Sequence, residues 1–446
     1  MINFKRINKS CVAAVILAMC LMTSGCGSQN YTTNNKNTDT TIASSITAQD
    51  TNVTHADDAD NYKTEITGEF SITSTDGSTI TQNDSIYTIT QAGEYTVTGL
   101  LSEGQIVVNA DDNAEITIVL NGTSITCSNG SPIYIKNADN IKIKSKENTY
   151  NCIVDARTEA DDNSDNSSSE NGNAAIYAAC DLKLVGKGAL SVTGNYNNGI
   201  QSKDDISIKN VTIKVNAVNN AIKGNDEVAI ESGEIIAISR KGDGIKTSNI
   251  SLSSKGKQKG NVIISGGNID IYAACDGIDA AYGVDVSGDG NLNIYTDTYS
   301  DYSEAVAADN SGSSASSVGT PPDMNNTQNN GNMGNPPDMN NSSSNSGNNP
   351  DMKGNFSGGN RAANGMPGNN SSGNSSKKSY STKGIKAESK INISGAAINI
   401  SSTDDGIHAN SDSGVLETGE DGNGIISISG GTITISTGDD GIHADK

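Results

Sequence analysis

The sequence predicts an all-β fold in which the chain winds as a single-stranded parallel β-helix, a solenoid with a period of about 22 residues. Three observations support this prediction. The 446-residue chain is 33% hydrophobic and 4% aromatic, with 48 Gly, 3 Phe and no Trp, so large side chains are too few to fill a broad core. Aliphatic residues alternate with polar ones, and one turn string recurs at regular intervals.

The alternation has the period of a β-strand. Ile206 and Ile208, and later Ile391 and Ile393, are separated by single polar residues, so that one face of each strand is apolar. A β-sandwich is the competing fold. Hairpins would not repeat one turn sequence every 22 residues or so, and the solenoid is therefore preferred.

The recurring turn string ends in Ile. It occurs as Asn198-Gly199-Ile200, Asn220-Ala221-Ile222, Asp243-Gly244-Ile245, Asp276-Gly277-Ile278, Lys383-Gly384-Ile385, Asp405-Gly406-Ile407 and Asp440-Gly441-Ile442. The successive steps of 22, 23 and 33 residues, and later of 22 and 35, fit one short period with loops at 254–260 and 417–424. About 22 residues hold three short strands and three turns, which is one coil.

This register predicts one internal ladder formed by the Ile of each turn string, with Ala280, Ala387, Ala409 and Ala444 on the same face two positions later. The next residue after each Ile then points outward: Gln201, Lys223, Lys246, Asp279, Lys386, His408 and His443. Glycine in the string is expected to serve a positive φ. Ser265-Gly266-Gly267 and Ser429-Gly430-Gly431 are expected to form a second corner.

The N-terminus predicts export. Lys5, Arg6 and Lys9 precede an apolar run at 11–22, which is too short to span a bilayer. The run at 23–26 resembles a bacterial lipobox, so residues 1–25 are predicted to be a lipoprotein signal peptide and Cys26 to carry the lipid. The protein would then be extracellular and lipid-anchored to the cell membrane, with no other membrane contact. An ordinary secretory signal or an uncleaved anchor is the alternative.

Composition divides the rest of the chain. The predicted segments are a disordered tether (26–66), an N-terminal β region with the first coils (67–156), an acidic disordered loop (157–173), β-helix coils (174–300), a disordered Asn/Ser/Gly/Pro insertion (301–380) and further coils (381–446). The chain stops directly after a repeat turn. An uncovered last coil would expose strand edges, so we expect either a truncated sequence or a partner at that end.

The charge of the chain argues against nucleic-acid binding, and its cysteine pattern argues against disulfide bonds. A formal charge of -22 argues against nucleic-acid binding, which requires clustered Lys and Arg. Cys127, Cys152, Cys180 and Cys275 remain outside the predicted leader. Two disulfides are possible in an oxidising compartment, but Cys180 and Cys275 both lie in Ala-Ala-Cys-Asp strings typical of small buried strand residues. The core interpretation is preferred.

The repeated S-G-G-x-I-x-I pattern followed by D-G-I, the string at 194–205 and the Gly-rich insertion resemble the bacterial carbohydrate-binding domain family, secreted β-helix proteins that bind cellulose and polygalacturonate. The resemblance covers roughly residues 67–446. It implies a right-handed parallel β-helix shaped like a pectate lyase, calcium bound to the solenoid, and binding of plant or bacterial cell-wall polysaccharide without cleavage.

The acidic turns also suggest calcium on chemical grounds. Neighbouring coils lie about 4.8 Å apart, so Asp243 would face Asp276, and Asp405 would face Asp440. Such charges repel by about 3 to 4 kcal/mol at an effective dielectric of 20, and calcium between them would remove the repulsion. Asp279, Asp404 and Asp439 are expected to complete the shells. The alternative is that Asp-Gly only makes a good turn.

The predicted ligand-binding residues are Lys203, Lys223, Lys246, Lys386, Tyr196 and Tyr272. The lysines would bind sugar carboxylates together with calcium, and the tyrosines would stack on sugar rings. A solvated face of balanced charges is the alternative interpretation. The protein is expected to act as a monomer.

A calcium-dependent polysaccharide lyase is the rival function. Lyases of this fold, as the resemblance implies, use Lys or Arg as the base, and Arg240, Lys241 and Lys246 are the candidates. These residues belong to repeated positions rather than to one cleft, so the binding module is preferred. A surface adhesin or spacer is a third possibility. His408 and His443 are also repeat positions, for which a weak transition-metal site is an alternative.

Overall fold

The structure, a computed structural model, describes residues 53–158, 171–296, 381–411 and 424–445. The chain divides into two units, Met1–Asn52 and Val53–Lys446. The first unit, with the predicted signal peptide and Cys26, lies outside the described residues, as do 297–380 and most of the predicted acidic loop. Among the residues that are described, none belongs to a helix with the length and apolar character needed to cross a bilayer.

The described part of the second unit is built from strands and one 3-10 turn, Ala59–Tyr62. In chain order the strands are β1 (Ser71–Ser74), β2 (Ile80–Asn83), β3 (Ile86–Ile89), β4 (Gly93–Leu101), β5 (Gln105–Asn109), β6 (Glu115–Cys127), β7 (Ile133–Asn137), β8 (Asn140–Ser145), β9 (Tyr150–Asp155), β10 (Ala174–Ala178), β11 (Asp181–Gly186), β12 (Ala189–Gly194), β13 (Asn198–Ser202), β14 (Asp205–Lys209), β15 (Val211–Ala217), β16 (Ile222–Lys223), β17 (Glu227–Ile230), β18 (Gly233–Ser239), β19 (Ile245–Lys246), β20 (Asn261–Ile264), β21 (Gly267–Ala273), β22 (Ile278–Ala280), β23 (Gly283–Val286), β24 (Gly290–Tyr295), β25 (Ile385–Ala387), β26 (Lys390–Ser402), β27 (Ile407–Ala409), β28 (Ile425–Thr437) and β29 (Ile442–Ala444).

These strands form the three faces of a parallel β-helix, which confirms the predicted fold class. Face 1 is a 12-stranded sheet from β2 to β29. Face 2 runs from the first halves of β4 and β6 through β8, β11, β14, β17, β20 and β23. Face 3 runs from the second half of β6 through β9, β12, β15, β18, β21 and β24. The long strands β4, β6, β26 and β28 each bend across faces 2 and 3. The right-handed sense of the winding stays a prediction.

The predicted Ile ladder is confirmed on face 1. Ile200, Ile222, Ile245, Ile278, Ile385, Ile407 and Ile442 are paired one above the next. Six of them are fully buried, and Ile442 in the last described coil is 49% exposed. The ladder continues backward through Ile176, Ile133 and Ile106. A narrow aliphatic core therefore runs along the axis, because every coil buries the inner residues of its neighbour.

Glycine in the turn string has a different cause from the one expected. Gly244, Gly277 and Gly384 do not have positive φ. A Cβ on Gly277 would lie 2.2 Å from Ile294 Cγ2 and 2.6 Å from the carbonyl oxygen of Gly384. In these coils Gly is required because core side chains of face 3 fill the space, not because of backbone freedom, whereas the coil of Ile222 accommodates Ala221 at the same position. Gly267 in the second corner does have φ +99°, as expected there.

The segment 53–66, here called the strap, lies along face 3. Its first residues contact the later coils. Asn293 Nδ2 of β24 donates to the Thr54 carbonyl at 2.9 Å. In β21, Asp270 accepts the Ala56 amide at 3.1 Å and lies 3.2 Å from His55 Nδ1. The apolar part of this contact packs Ala56 against side chains of β18 and β21.

The strap then reaches the earlier coils. The Lys214 ammonium of β15 lies 2.8 Å from Asp58 and 2.9 Å from Asp60. The Tyr150 hydroxyl of β9 donates to Asp60 at 2.9 Å. Residues 53–66 were assigned from composition to the disordered tether, and the structure differs there because ion pairs and amide hydrogen bonds hold a segment that has few apolar side chains to bury.

The four cysteines outside the predicted leader are free thiols. Cys180 is buried in the main core, and burial raises its pKa to about 12. Cys275 donates to the Lys241 carbonyl at 3.2 Å, and burial, followed by the charge of Asp243, raises its pKa to about 12 as well. The core interpretation is confirmed for Cys180, whereas Cys275 is half-buried beside the turn and lies outside the core cluster. Neither thiol is activated for chemistry.

Candidate functional site

Face 1 carries the candidate binding surface, because the strap covers much of face 3. The outward residues that follow the Ile ladder stack in one row, as predicted. This outward row consists of Thr88, Val107, Tyr134, Tyr177, Gln201, Lys223, Lys246, Asp279, Lys386, His408 and His443. Aromatic residues lie in its early coils, Lys and Asp in the middle and His at the end.

The Asn and Asp residues of the turn strings form a hydrogen-bond ladder beside this row. In each case a side-chain oxygen accepts the backbone amide of the equivalent residue one coil later. The bonds join Asn198 to Asn220 (3.1 Å), Asn220 to Asp243 (3.1 Å), Asp243 to Asp276 (3.0 Å), Asp276 to Lys383 (2.8 Å) and Asp405 to Asp440 (3.2 Å). The repeated Asp and Asn therefore have a structural role, whatever else they bind.

Three carboxylates converge in the middle of the row. Ligand oxygens of Asp243, Asp276 and Asp279 all lie within 4.8 Å of one another. The Lys246 ammonium is 2.7 Å from Asp243 and 2.6 Å from Asp279, and Lys386 is 3.3 Å from Asp279. Burial raises the pKa of Asp243 and, with the Asp243 charge, raises that of Asp276 to about 6. Burial would also raise the pKa of Asp279, but the charges of the two lysines lower it.

A second acidic cluster lies near the last coils. Oxygens of Asp404, Asp405 and Asp439 also lie within 4.8 Å of one another, and so do ligand atoms of Asp405, His408 and His443. The Lys383 ammonium is 2.5 Å from Asp404 and 3.3 Å from Asp405. These clusters have the spacing to hold a metal ion. In both acidic clusters one lysine ammonium lies against two of the carboxylates and compensates one of their two negative charges.

Lowering the pH from 7 to 5 is expected to raise the free energy of unfolding through Asp276. Its folded pKa of about 6 exceeds the ordinary value of 3.8, so between these values the folded protein holds a proton that the unfolded chain releases. This contribution grows as pH falls through about 6, to about 1 kcal/mol at pH 5. Urea unfolding at both pH values measures it. Asp276→Asn keeps the side-chain acceptor and cannot titrate, so an undiminished pH response in that variant would contradict the assignment.

The early coils hold a depression of about 300 Å³ on face 1. Its lining includes Gln105, Asn109, Tyr134, Lys136 and Asn171. The Tyr134 ring meets the ring of Tyr177, one coil later in the row, edge to face at 5.6 Å, and the Lys136 ammonium lies 5.1 Å from the Tyr134 centroid. Half-buried Tyr134 thus presents an aromatic surface among amide side chains.

Sequence reasoning missed both tyrosines because the step from Ile133 to Ile176 contains the predicted acidic loop. That loop lengthens the coil to 43 residues and hides the repeat. The signal that could have found them is the strand alternation, since Tyr134 and Tyr177 each follow an Ile of the ladder.

The six predicted ligand residues do not converge. Lys203 is exposed, whereas Lys223, Lys246 and Lys386 lie in the outward row. The Arg157 guanidinium lies over the Tyr196 ring at 4.0 Å. Tyr272 is on face 3, stacked with Tyr295 at 5.1 Å and packed against the cluster that Ala56 of the strap completes.

The residues proposed for a lyase lie in two places. Arg240 donates to the Ala217 carbonyl and to Asn195, and Lys241 follows it at the end of β18. Lys246 is in the outward row. Burial would lower the pKa of Lys246, but the charges of Asp243 and Asp279 outweigh burial and raise it. A lysine held protonated in this way is a poor general base.

Comparison with known proteins gives three findings. A family model described as carbohydrate-binding domain-containing protein matches residues 83–441. A carbohydrate-binding domain-containing protein of Acetivibrio thermocellus is 39% identical over 129 residues, which are 28% of this chain and 44% of that relative, so the match spans less than half the relative's length. A solved structure of a polysaccharide lyase-like protein from C. thermocellum, a gadolinium derivative, is 36% identical, with a TM-score of 0.43, over 48% of this chain and 83% of that one.

Proposed function

Because the chain belongs to the family of carbohydrate-binding domain-containing proteins, we propose that it binds polysaccharide on face 1, centred on the depression around Tyr134. The observation that carries this proposal is the combination of a half-buried aromatic ring with amide side chains in a concave site. Sugar rings stack their apolar C–H faces on aromatic rings, while a few polar groups fix their orientation. A volume of about 300 Å³ is at the lower limit for a ligand pocket.

The charge of the outward row favours a neutral glycan such as cellulose over polygalacturonate. Lys246 and Lys386 are paired with Asp243, Asp279 and Glu388. Their charges are therefore compensated within the protein and add little attraction for sugar carboxylates. Polygalacturonate would need a cation to bridge the two acidic partners.

Calcium at the Asp243, Asp276 and Asp279 cluster is part of this proposal as that bridging cation. The donor set consists of carboxylate oxygens, which calcium prefers. The Lys246 ammonium lies between two of these carboxylates, so binding requires this side chain to move away. Calcium would then supply the positive charge that Lys246 supplies in its absence.

Cleavage by a lyase mechanism is the second candidate function. It rests on Arg240 and Lys241, because the raised pKa of Lys246 works against its role as a base. The repeated character of the surrounding positions favours binding without cleavage.

We also propose that the protein acts as a monomer at the cell surface, held by lipid on Cys26. A role as an adhesin or spacer is the outcome if no polysaccharide binds.

Tyr134→Ala is expected to weaken retention on cellulose about tenfold, which corresponds to the loss of about 1.4 kcal/mol of stacking. Pull-down of the full chain at several cellulose concentrations measures this. Polygalacturonate should be tested in parallel with and without calcium, while the absorbance of unsaturated product is recorded. Binding with no rise in absorbance supports a binding module, and a rise identifies a lyase.

Tyr62→Ala is the matched control, since Tyr62 is 50% exposed and belongs to the strap rather than to face 1. It should bind like the unchanged protein. If both variants lost cellulose binding equally, or if Tyr134→Ala bound cellulose as the unchanged protein does, the depression would be excluded as the binding site.

A further inference from the structure

The outward row ends in two histidines that face each other. His408 of β27 is paired with His443 of β29, and their rings stack with centroids 4.3 Å apart and planes at 22°. The full sequence has only three histidines. Because β27 and β29 are neighbouring strands, the two imidazoles lie one above the other, as all neighbouring residues of the row do.

A carboxylate hydrogen-bonds Nδ1 of His408, and two carboxylates lie near Nδ1 of His443 on the same side of the pair. Asp405 Oδ2 lies 2.6 Å from His408 Nδ1 and 3.7 Å from His443 Nδ1, and Asp440 Oδ2 lies 3.6 Å from His443 Nδ1. A carboxylate that accepts from Nδ1–H leaves the lone pair on Nε2. This is the arrangement that orients a histidine for metal binding.

The Nε2 atoms converge on a third carboxylate. Asp445 Oδ1 is 3.5 Å from Nε2 of His408 and 3.5 Å from Nε2 of His443. The other oxygen of Asp445 accepts the Ser411 amide at 2.9 Å, which orients Oδ1 toward the histidines. Within the described residues, His408 Nε2 is buried and has no hydrogen-bond partner, and His408 as a whole is only 9% exposed.

A separation of 3.5 Å is long for a hydrogen bond but suits two ligands of one ion. Ligand atoms about 2.1 Å from a tetrahedral zinc lie about 3.4 Å from one another. We propose that His408 Nε2, His443 Nε2 and Asp445 Oδ1 form a site for a divalent transition metal of the zinc class, with Asp405 as the positioning residue behind His408. Imidazole nitrogens select such metals over calcium and magnesium.

This site has consequences for geometry and access. An ion lies in the plane of each imidazole that binds it, so the two rings should open from their 22° stacking when the metal binds. The His443 side chain is 41% exposed, which leaves a fourth position open to water or to a solute ligand. The site joins the last two described rungs of the row and does not depend on carbohydrate binding.

Titration of the full chain with zinc, followed by calorimetry, and with cobalt(II), followed by visible absorption, tests the proposal. We expect one equivalent of zinc and a tetrahedral cobalt spectrum. His443→Gln should weaken binding at least 100-fold, and Asp405→Asn should weaken it about 10- to 100-fold because it alters the partner of His408 Nδ1 and leaves the three ligand atoms in place. His55→Gln is the matched control and should bind as the unchanged protein does.

His443 is partly exposed, so its variant should fold even if a change at buried His408 does not. Absence of zinc binding overturns the proposal, and so does equal binding by His443→Gln and His55→Gln. Displacement of zinc by an equal concentration of calcium also overturns it, because an oxygen-ligand site would then be responsible. Ring chemical shifts of only two of the three histidines should change on zinc binding.

Discussion

Gly277→Ala is expected to lower the free energy of unfolding by roughly 2 to 3 kcal/mol. The new Cβ would lie 2.2 Å from Ile294 Cγ2 and 2.6 Å from the Gly384 carbonyl oxygen. The first neighbour belongs to the core of the same coil and the second to the backbone of the next coil, so neither can move without disturbing the ladder at Ile278. Urea unfolding, followed by circular dichroism, measures the loss.

Gly441→Ala provides a matched control at the same position of the repeat. A Cβ there has no neighbour within 4 Å, and the residue lacks a positive φ. We expect a change within about 0.5 kcal/mol. A similar loss in both variants would mean that the turn needs glycine for its backbone conformation, and the packing explanation would be wrong.

Lys246→Met is expected to destabilise the protein by about 3 kcal/mol at pH 7. The substitution leaves the buried Asp243 carboxylate without the ammonium at 2.7 Å and leaves Asp279 with Lys386 alone. Burial already raises the pKa of Asp243 and Asp276. The Lys246 charge lowers the pKa of Asp243, so removing it should raise that pKa further, and the loss should be smaller at pH 5, where this carboxyl can take up a proton.

Calcium should restore much of the lost stability in Lys246→Met and stabilise the unchanged protein less, because in the variant the ion no longer competes with the ammonium. Thermal melts after chelation and after calcium addition measure both effects. Lys257→Met is the control. Lys257 pairs with Glu227 but is 63% exposed, so its loss should cost less than 1 kcal/mol. Equal stabilisation of all three proteins by calcium would exclude this cluster as the site.

The parts of the structure that follow from periodicity could be predicted from the sequence. Ile200, Ile222 and Ile245 lie in adjacent coils because a 22-residue coil brings each Ile over the last, and the outward position of Lys223 follows from strand alternation. The Asp residues of the turns could be expected to face each other for the same reason. The hydrogen bonds from their side chains to backbone amides of the next coil could not be predicted, because they depend on the exact register between coils.

Features that depend on contacts between distant segments could not be predicted in this way. The pairing of Tyr134 with Tyr177 is hidden by a coil of unusual length. The need for Gly277 comes from Ile294 on another face, which no local pattern indicates. The composition of the strap is polar and therefore predicts a disordered tether. The partners of its charged groups, Lys214 and Asp270, lie more than 150 residues away, so no local pattern indicates them.

The strap also changes how cooperatively the solenoid unfolds. A repeat protein whose units touch only their neighbours behaves as a one-dimensional chain, in which a domain wall between folded and unfolded coils can form at any interface. The strap bonds to β24, β21, β18, β15 and β9 in turn, so unfolding any one of these coils also releases contacts that hold the others. The coils between β9 and β24 are thereby coupled into one cooperative unit, whereas the coils from β25 onward retain only nearest-neighbour coupling among the described residues.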